Sequence, residues 1–295
     1  MDWWQSLILG LIEGITEYLP VSSTGHLIVA QRMMGIGLGA DKTVADCFAI
    51  CIQFGAIAAV LGIFWPRVVQ MIKGVFGQDA EGLKLLLAIF VGFLPAAIIG
   101  LIANDWIEAK LFHFKWVALA WFVGGIAILF ADRWMKKGGG SKGRKLSEIT
   151  IRMALIIGFF QCLAMWPGTS RSLATILGGL FVGLELAAAV EFSFLLGLLT
   201  LTAATVKKTI WPIKTPGLEA YHVKFGGAHL LWDTYGWMPL AVGCVVAAIS
   251  AAIAVKWMIG YLNRKGLGVF GWYRIAISIV AVIMIATNFA GLNGA

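Results

Sequence analysis

Charge is what this sequence has least of. Only 13% of its 295 residues are Asp, Glu, Lys or Arg, while 60% are hydrophobic; soluble domains carry about 25% charged residues. That shortage excludes an ordinary water-soluble domain. Cysteine is scarce as well. Cys47, Cys51, Cys162 and Cys244 form no CxxC pair and sit in apolar surroundings, which excludes a disulfide scaffold and a structural zinc site and leaves buried thiols. A basic leader is also missing. Asp2 and Glu13 interrupt the N-terminal apolar pattern, so a cleavable signal is not expected there.

What is present is long apolar sequence. The run LLLAIFVGFLPAAIIGLIA, Leu85 to Ala103, nears the roughly 20 residues that cross a bilayer. Similar stretches at 46–65, 83–103, 114–134, 187–206, 238–260 and 270–290 predict six spans of a polytopic, all-α membrane protein. Glycine, at 36 residues, exceeds the usual ~7%, which fits close helix packing and broken helices and permits a homodimer. The net charge of +8 does not imply nucleic acid. Its densest part, Arg133, Lys136, Lys137, Lys142, Arg144 and Lys145 around GGGSKG, marks a cytoplasmic loop by the positive-inside rule.

Two apolar segments, 5–34 and 151–182, are broken in the middle by PVSSTG and PGTS, and each half is short for a crossing. They resemble each other. GLIEGITEYLPVSSTGH begins at Gly10 and GFFQCLAMWPGTSRS at Gly158; Glu13 and Gln161 follow three residues on, then Pro20 and Pro167, then hydroxyl-rich turns. Three spans follow each broken segment. The chain therefore reads as two repeats, 1–137 and 148–295, joined by a basic linker at 138–147. If each broken segment is a re-entrant hairpin, an odd number of spans per repeat inverts the second against the first. With the linker inside, the loops near Arg67–Lys84 and Asn263–Gly268 are also inside. The loops at 36–46, 104–114 and 207–236 and both termini are outside. The hairpin tips then meet near the midplane. Lys207, Lys208, Lys214 and Lys224 run against the charge bias of this topology.

The chemistry concentrates in the two breaks. Glu13 and Glu17 share one helix face at i and i+4. Four ionisable groups in the apolar segments, Glu13, Glu17, His26 and Arg171, would cost ~10 kcal/mol uncompensated in a bilayer, which argues for a wet, functional cavity over glutamates at a helix end. Pro20 ends the first half-helix. Ser22, Ser23 and Thr24 are placed to cap the next, and capping alone needs only one of them. A helix start with free N–H groups is also an anion site. Ser23 and His26, at i and i+3, have the spacing of a nucleophile and its base. In PGTSRS, Arg171 lies among Thr169, Ser170 and Ser172 and suits forked recognition of phosphate oxygens; snorkelling to the surface is the plainer alternative. Two carboxylates could hold a divalent ion across a diphosphate. Attack by Ser23, by His26 or by water stays open.

At these residues the chain resembles bacterial undecaprenyl-diphosphate phosphatases of the bacitracin-resistance type. The strongest matches are EGITEYLPVSSTGH and PGTSRSLAT. Weaker ones are IQFGAIAAV (Ile52 to Val60), FWPR (Phe64 to Arg67), EFSFLL (Glu191 to Leu196) and Tyr273–Arg274. The resemblance implies removal of the terminal phosphate from undecaprenyl diphosphate, regenerating the lipid carrier for peptidoglycan. It implies dependence on Mg²⁺ or Ca²⁺, a polyprenyl diphosphate substrate within membrane lipids, and a site opening to the periplasmic face of the bacterial inner membrane. It places the family's acidic pair on Glu13 and Glu17 and its hydroxyl–histidine motif on Ser22, Ser23, Thr24 and His26. Its arginine motif falls on Ser170, Arg171, Ser172 and Thr175. Leu173 stands where the family usually has glycine. A lipid flippase or anion transporter is the alternative for such repeats, and it needs no nucleophile. The loop carrying Trp211, His222, His229 and Trp232 fits no family motif and reads as interfacial anchors.

Overall fold

The computed structural model describes residues 1–37, 41–111, 113–139, 143–210 and 226–289. Lys142, Trp211, Lys214, His222 and Lys224, singled out above, lie outside the described residues.

Twelve α-helices carry the described chain. The first six are α1 (Trp3–Thr16), α2 (Ser23–Met33), α3 (Lys42–Ile63), α4 (Trp65–Val75), α5 (Ala80–Leu111) and α6 (Phe114–Trp134). The second six are α7 (Ile151–Cys162), α8 (Arg171–Phe181), α9 (Leu186–Ile210), α10 (Gly227–Tyr235), α11 (Trp237–Lys265) and α12 (Gly268–Ala286). One isolated β-bridge, Arg144 to Leu184, is the exception to helix. The six helices long and apolar enough to cross a membrane are α3, α5, α6, α9, α11 and α12. They coincide with the six runs read from hydropathy, and the protein is a multi-pass membrane protein.

The order of elements repeats: broken pair, long helix, short helix, two long helices. The short helices were expected as loop. In α4, Pro66 sits in the first turn, where its missing N–H costs nothing. Trp65, Ile72 and Val75 are exposed along it, so α4 leaves an apolar face uncovered by the rest of the described chain. The turn after α4 uses Gly77 at φ 74°, and Gly236 at φ 77° separates α10 from α11; glycine tolerates this left-handed backbone at no steric cost.

Packing follows the same order. Helix α1 runs along α11, and α7 along α5; α6 pairs with α12, and α3 with α9. Exchanging the two sets of six maps each of these four pairings onto another or onto itself, although the α8–α9 packing has no comparable α2–α3 counterpart. Glycine makes the first two close. A Cβ on Gly10 would lie 2.5 Å from the Gly243 carbonyl oxygen, and one on Gly158 would lie 2.4 Å from that of Gly92.

The loops gather at two ends. Lys84 Nζ donates to the Ser147 carbonyl at 2.8 Å, tying the start of α5 to the loop before α7, and the Leu267 N–H donates to Asp132 Oδ1 at 3.0 Å, tying the loop before α12 to the end of α6. At the far end of α3, the Tyr235 hydroxyl donates to Asp41 Oδ1 at 2.8 Å, and Met1 packs in the same cluster as Tyr235. The first broken pair therefore starts at the Tyr235 end and the second at the Ser147 end. They touch where Ser172 Oγ donates to the Leu19 carbonyl at 2.9 Å.

Candidate active site

Each break ends on a serine with unusual backbone. Ser22, at the N-cap position of α2 but without a side-chain cap, has φ 71°, and Ser170, whose hydroxyl caps α8, has φ 74°. A non-glycine residue in this region costs on the order of 1–3 kcal/mol and persists only where its surroundings enforce it. Counted back from these serines, the two segments are in register. Nine residues separate Glu13 from Ser22 and Gln161 from Ser170, and twelve separate Gly10 and Gly158 from the same serines. Only the proline is displaced.

The turns bring Glu17, Ser23 and Arg171 together. Glu17 Oε2 accepts from Ser23 Oγ at 2.5 Å, and Glu17 Oε1 lies 3.3 Å from Arg171 Nη2 in a buried ion pair. Arg171 Nη1 donates to the Ser193 carbonyl at 3.0 Å, and its guanidinium carbon sits 5.1 Å over the Tyr18 ring. That geometry favours a cation. Thr175 steadies the same point, its Oγ1 lying 2.6 Å from Ser193 Oγ and 2.9 Å from the Arg171 carbonyl. Arg171 is thus held inward and does not reach for the surface.

Glu13 lies one helical turn before Glu17. Both its oxygens are buried without a hydrogen bond of normal geometry among the described residues, although Gln53, Glu17 and Arg171 are its neighbours. A buried charged carboxylate left so is costly, and a divalent cation between Glu13 and Glu17 would satisfy it. Among the described residues no three His, Cys, Asp or Glu side chains gather. A two-carboxylate site completed by phosphate oxygens and water is the kind that Mg²⁺ takes.

The spacing of Ser23 and His26 suggested a direct pair, and the structure gives each another partner. The Ser23 hydroxyl, on the first residue of α2, reaches back across the turn to Glu17. His26 Nδ1 lies 2.7 Å from the Ser22 carbonyl and Nε2 lies 2.7 Å from the Tyr273 hydroxyl. Its ring stacks on Tyr273 with centroids 5.8 Å apart and packs at 5.2 Å against Trp121.

The remaining hydroxyls divide. Ser170 and Ser172 are 2.9 Å apart and both donate to the Leu19 carbonyl, so they fasten one turn to the other. Ser170 also accepts from the Leu173 N–H at 3.3 Å. Leu173 itself is buried in the main hydrophobic cluster, so its side chain packs inward and leaves the cap intact. Thr169 is half-buried beside the second turn, and Ser22 is buried with its carbonyl turned to His26. Thr24 is exposed and, with Ser23, lines a cavity of about 380 Å³ whose wall also carries Arg32, Lys42, Gln53 and Lys208.

Several residues of the site had no role in the sequence. Arg274 is fully buried and donates to the carbonyls of Pro20, Ala120 and Gly168 at 3.1, 2.8 and 2.9 Å. One side chain on α12 therefore clasps both turns. Tyr18, Gln53, Ser193 and Trp121 likewise reveal their places only through contacts from other helices. The short motifs were the available signal: Gln53 lies in IQFGAIAAV, Ser193 in EFSFLL, and Tyr273–Arg274 is its own. Two motifs also meet directly, Arg67 of FWPR pairing with Glu191 of EFSFLL at 2.7 Å.

Comparison with known proteins agrees along the chain. A family described as Bacitracin resistance protein BacA matches residues 6–280. A Rhodospirillum rubrum protein named undecaprenyl-diphosphatase 2 is 42% identical over 288 residues, covering 98% of this chain and 96% of its own. A Sorangium cellulosum undecaprenyl-diphosphatase is 39% identical, covering 96% of this chain and 86% of its own. One from Acinetobacter baumannii is 37% identical, covering 98% and 97%.

Proposed function

The chain belongs to the bacitracin resistance protein family, and from that premise we propose that it hydrolyses undecaprenyl diphosphate to undecaprenyl phosphate and inorganic phosphate. The observation that carries the reading is the Ser23 hydroxyl on Glu17, with Glu17 paired in turn to Arg171 of the other broken segment. A nucleophile, a proton acceptor and a phosphate-binding cation then stand within one buried constellation.

In the proposed reaction, Ser23 Oγ attacks the terminal phosphorus and its proton passes to Glu17 Oε2. The bond from that phosphorus to the bridging oxygen breaks, and the lipid monophosphate leaves. Water then attacks the phosphoserine and gives up its proton to His26, the bond from phosphorus to Ser23 Oγ breaks, and Glu17 returns the first proton to that oxygen. Arg171 holds the phosphoryl oxygens; Thr24 lines the approach and Ser22 and Thr169 stand in the two turns as further phosphate contacts, while Ser170, Ser172 and Thr175 keep Arg171 and the turns in place. A divalent ion, Mg²⁺ or Ca²⁺, on Glu13 and Glu17 would neutralise diphosphate oxygens. Catalysis of this kind rests on positioning and charge stabilisation.

The proposed setting is the bacterial inner membrane, with two inverted repeats, 1–137 and 148–295, about the 138–147 linker. The exchangeable helix pairings, the shared register of the two breaks and their entry from opposite ends support it. With the basic linker inside, the cavity beside Ser23 opens to the periplasm. A flippase or anion carrier would have the same repeats, but it has no use for a hydroxyl hydrogen-bonded to a buried carboxylate.

The test is phosphate release from a long-chain polyprenyl diphosphate by the purified protein, with Mg²⁺ and then with a chelator. Metal-dependent release from wild type, lowered at least roughly thousandfold in Ser23→Ala, is expected. No release from folded wild type would sink the phosphatase reading. Substantial release by Ser23→Ala would move the nucleophile to His26 or water.

A further inference from the structure

We propose that a second cavity, at the end of the bundle where α6 and α11 stop and α12 begins, is a headgroup site for an anionic phospholipid of the surrounding membrane. The cavity is about 370 Å³, and Arg133, Lys136 and Lys265 line it together with Asp132, Tyr261 and Trp272. The one acid is already engaged. Asp132 Oδ1 accepts the Leu267 N–H at 3.0 Å and Oδ2 accepts Lys136 Nζ at 2.7 Å. Arg133 and Lys265 enter no ion pair among the described residues. The wall therefore presents a net positive charge that nothing within it neutralises.

What turns this charge into a lipid site is the apolar surface beside it. Trp272 is 64% exposed and Val269 45%, and the outward face of α12 continues with Ile279, Val280 and Ile283. Trp257 stacks on Tyr261 with centroids 5.2 Å apart. Aromatic rings beside basic side chains at helix ends are the furniture of a membrane interface. Basic pockets between spanning helices accept anionic headgroups, and acyl chains would run down α12. A free phosphate would use the cations and leave the apolar face bare. The site also bears on the active site through the chain itself. Trp272 lines it, and the next two residues hold His26 and clasp both turns.

Native mass spectrometry of the full-length protein, equilibrated with equal phosphatidylglycerol and phosphatidylcholine, tests this. Wild type should retain phosphatidylglycerol preferentially. Each cation near an anionic headgroup contributes a factor of about five, so Arg133→Gln and Lys265→Gln should each weaken the preference about fivefold, and the pair about twenty-five-fold. Lys115→Gln, at the other end of α6, should change nothing, and millimolar inorganic phosphate should not displace the lipid. The proposal falls if wild type shows no preference or if the double variant, folded by circular dichroism, keeps it. It falls also if Lys115→Gln loses it equally, or if inorganic phosphate competes for the site.

Discussion

Arg171 Nη2 lies 3.3 Å from Glu17 Oε1, with 9% and 6% of the two side chains exposed, and the pair joins two turns 154 residues apart in sequence. Removing one member of a buried pair leaves the other uncompensated, typically at a cost of about 3–5 kcal/mol. Arg171→Ala should therefore lower the thermal unfolding temperature as well as reduce phosphate release, the latter by about 10²–10³-fold or more. Arg171→Lys should recover stability better than activity, because an ammonium keeps the charge and loses the fork. Equal recovery of both would argue against a phosphate-binding role.

Glu13 makes the opposite kind of prediction. Its carboxylate is buried without a hydrogen bond of normal geometry among the described residues, so Glu13→Gln should stabilise the metal-free protein, by about 1–3 kcal/mol, while abolishing most metal-dependent phosphate release. Thermal unfolding in chelator and turnover in Mg²⁺ check the two halves separately. A variant that is less stable and fully active would place the metal elsewhere.

Tyr273 is a positioning residue for His26 rather than a catalytic one. Tyr273→Phe removes the 2.7 Å partner of Nε2 but keeps the stacked ring. One hydrogen bond of ~1 kcal/mol corresponds to about fivefold in kcat, with KM little changed and the pH profile of kcat displaced. An unaltered profile would mean that the hydroxyl only packs.

Gly10 and Gly158 occupy matching positions at close helix crossings. Gly10→Ala and Gly158→Ala each thrust a Cβ within 2.5 Å of a facing carbonyl oxygen, and overpacking of this kind costs about 1–3 kcal/mol. Gly62→Ala, where a Cβ would meet nothing within 4 Å, should be neutral or slightly stabilising, since alanine is the better helix former by about 1 kcal/mol. Unfolding scans of the three variants in one detergent make the comparison.

The spans were legible because bilayer crossing demands length and apolarity, both local properties. The breaks at Pro20 and Pro167 were legible for the same reason. Helix α4 was not, since its eleven residues signal neither a span nor a turn until α5 packs beside them. Ser23 shows the limit more sharply. Its i+3 neighbour suggested a partner, but a residue at the first position of a helix can reach back across the turn, and the hydroxyl bonds to Glu17 instead. Arg274 lies 254 residues from one of its acceptors, the Pro20 carbonyl; no spacing rule covers such a distance. Ser22 and Ser170 share a backbone conformation that side-chain identity does not announce.

The Arg274 clasp has a consequence for biosynthesis. Chains enter the membrane from the N-terminus, so both broken segments are in place while α12 is still being made. Until α12 docks, the carbonyls of Pro20 and Gly168 lack their common donor. A nascent or C-terminally truncated chain thus carries every proposed reacting group and not the fastening that aligns them. Turnover should therefore depend on the docking of α12, a helix that carries none of the proposed reacting groups.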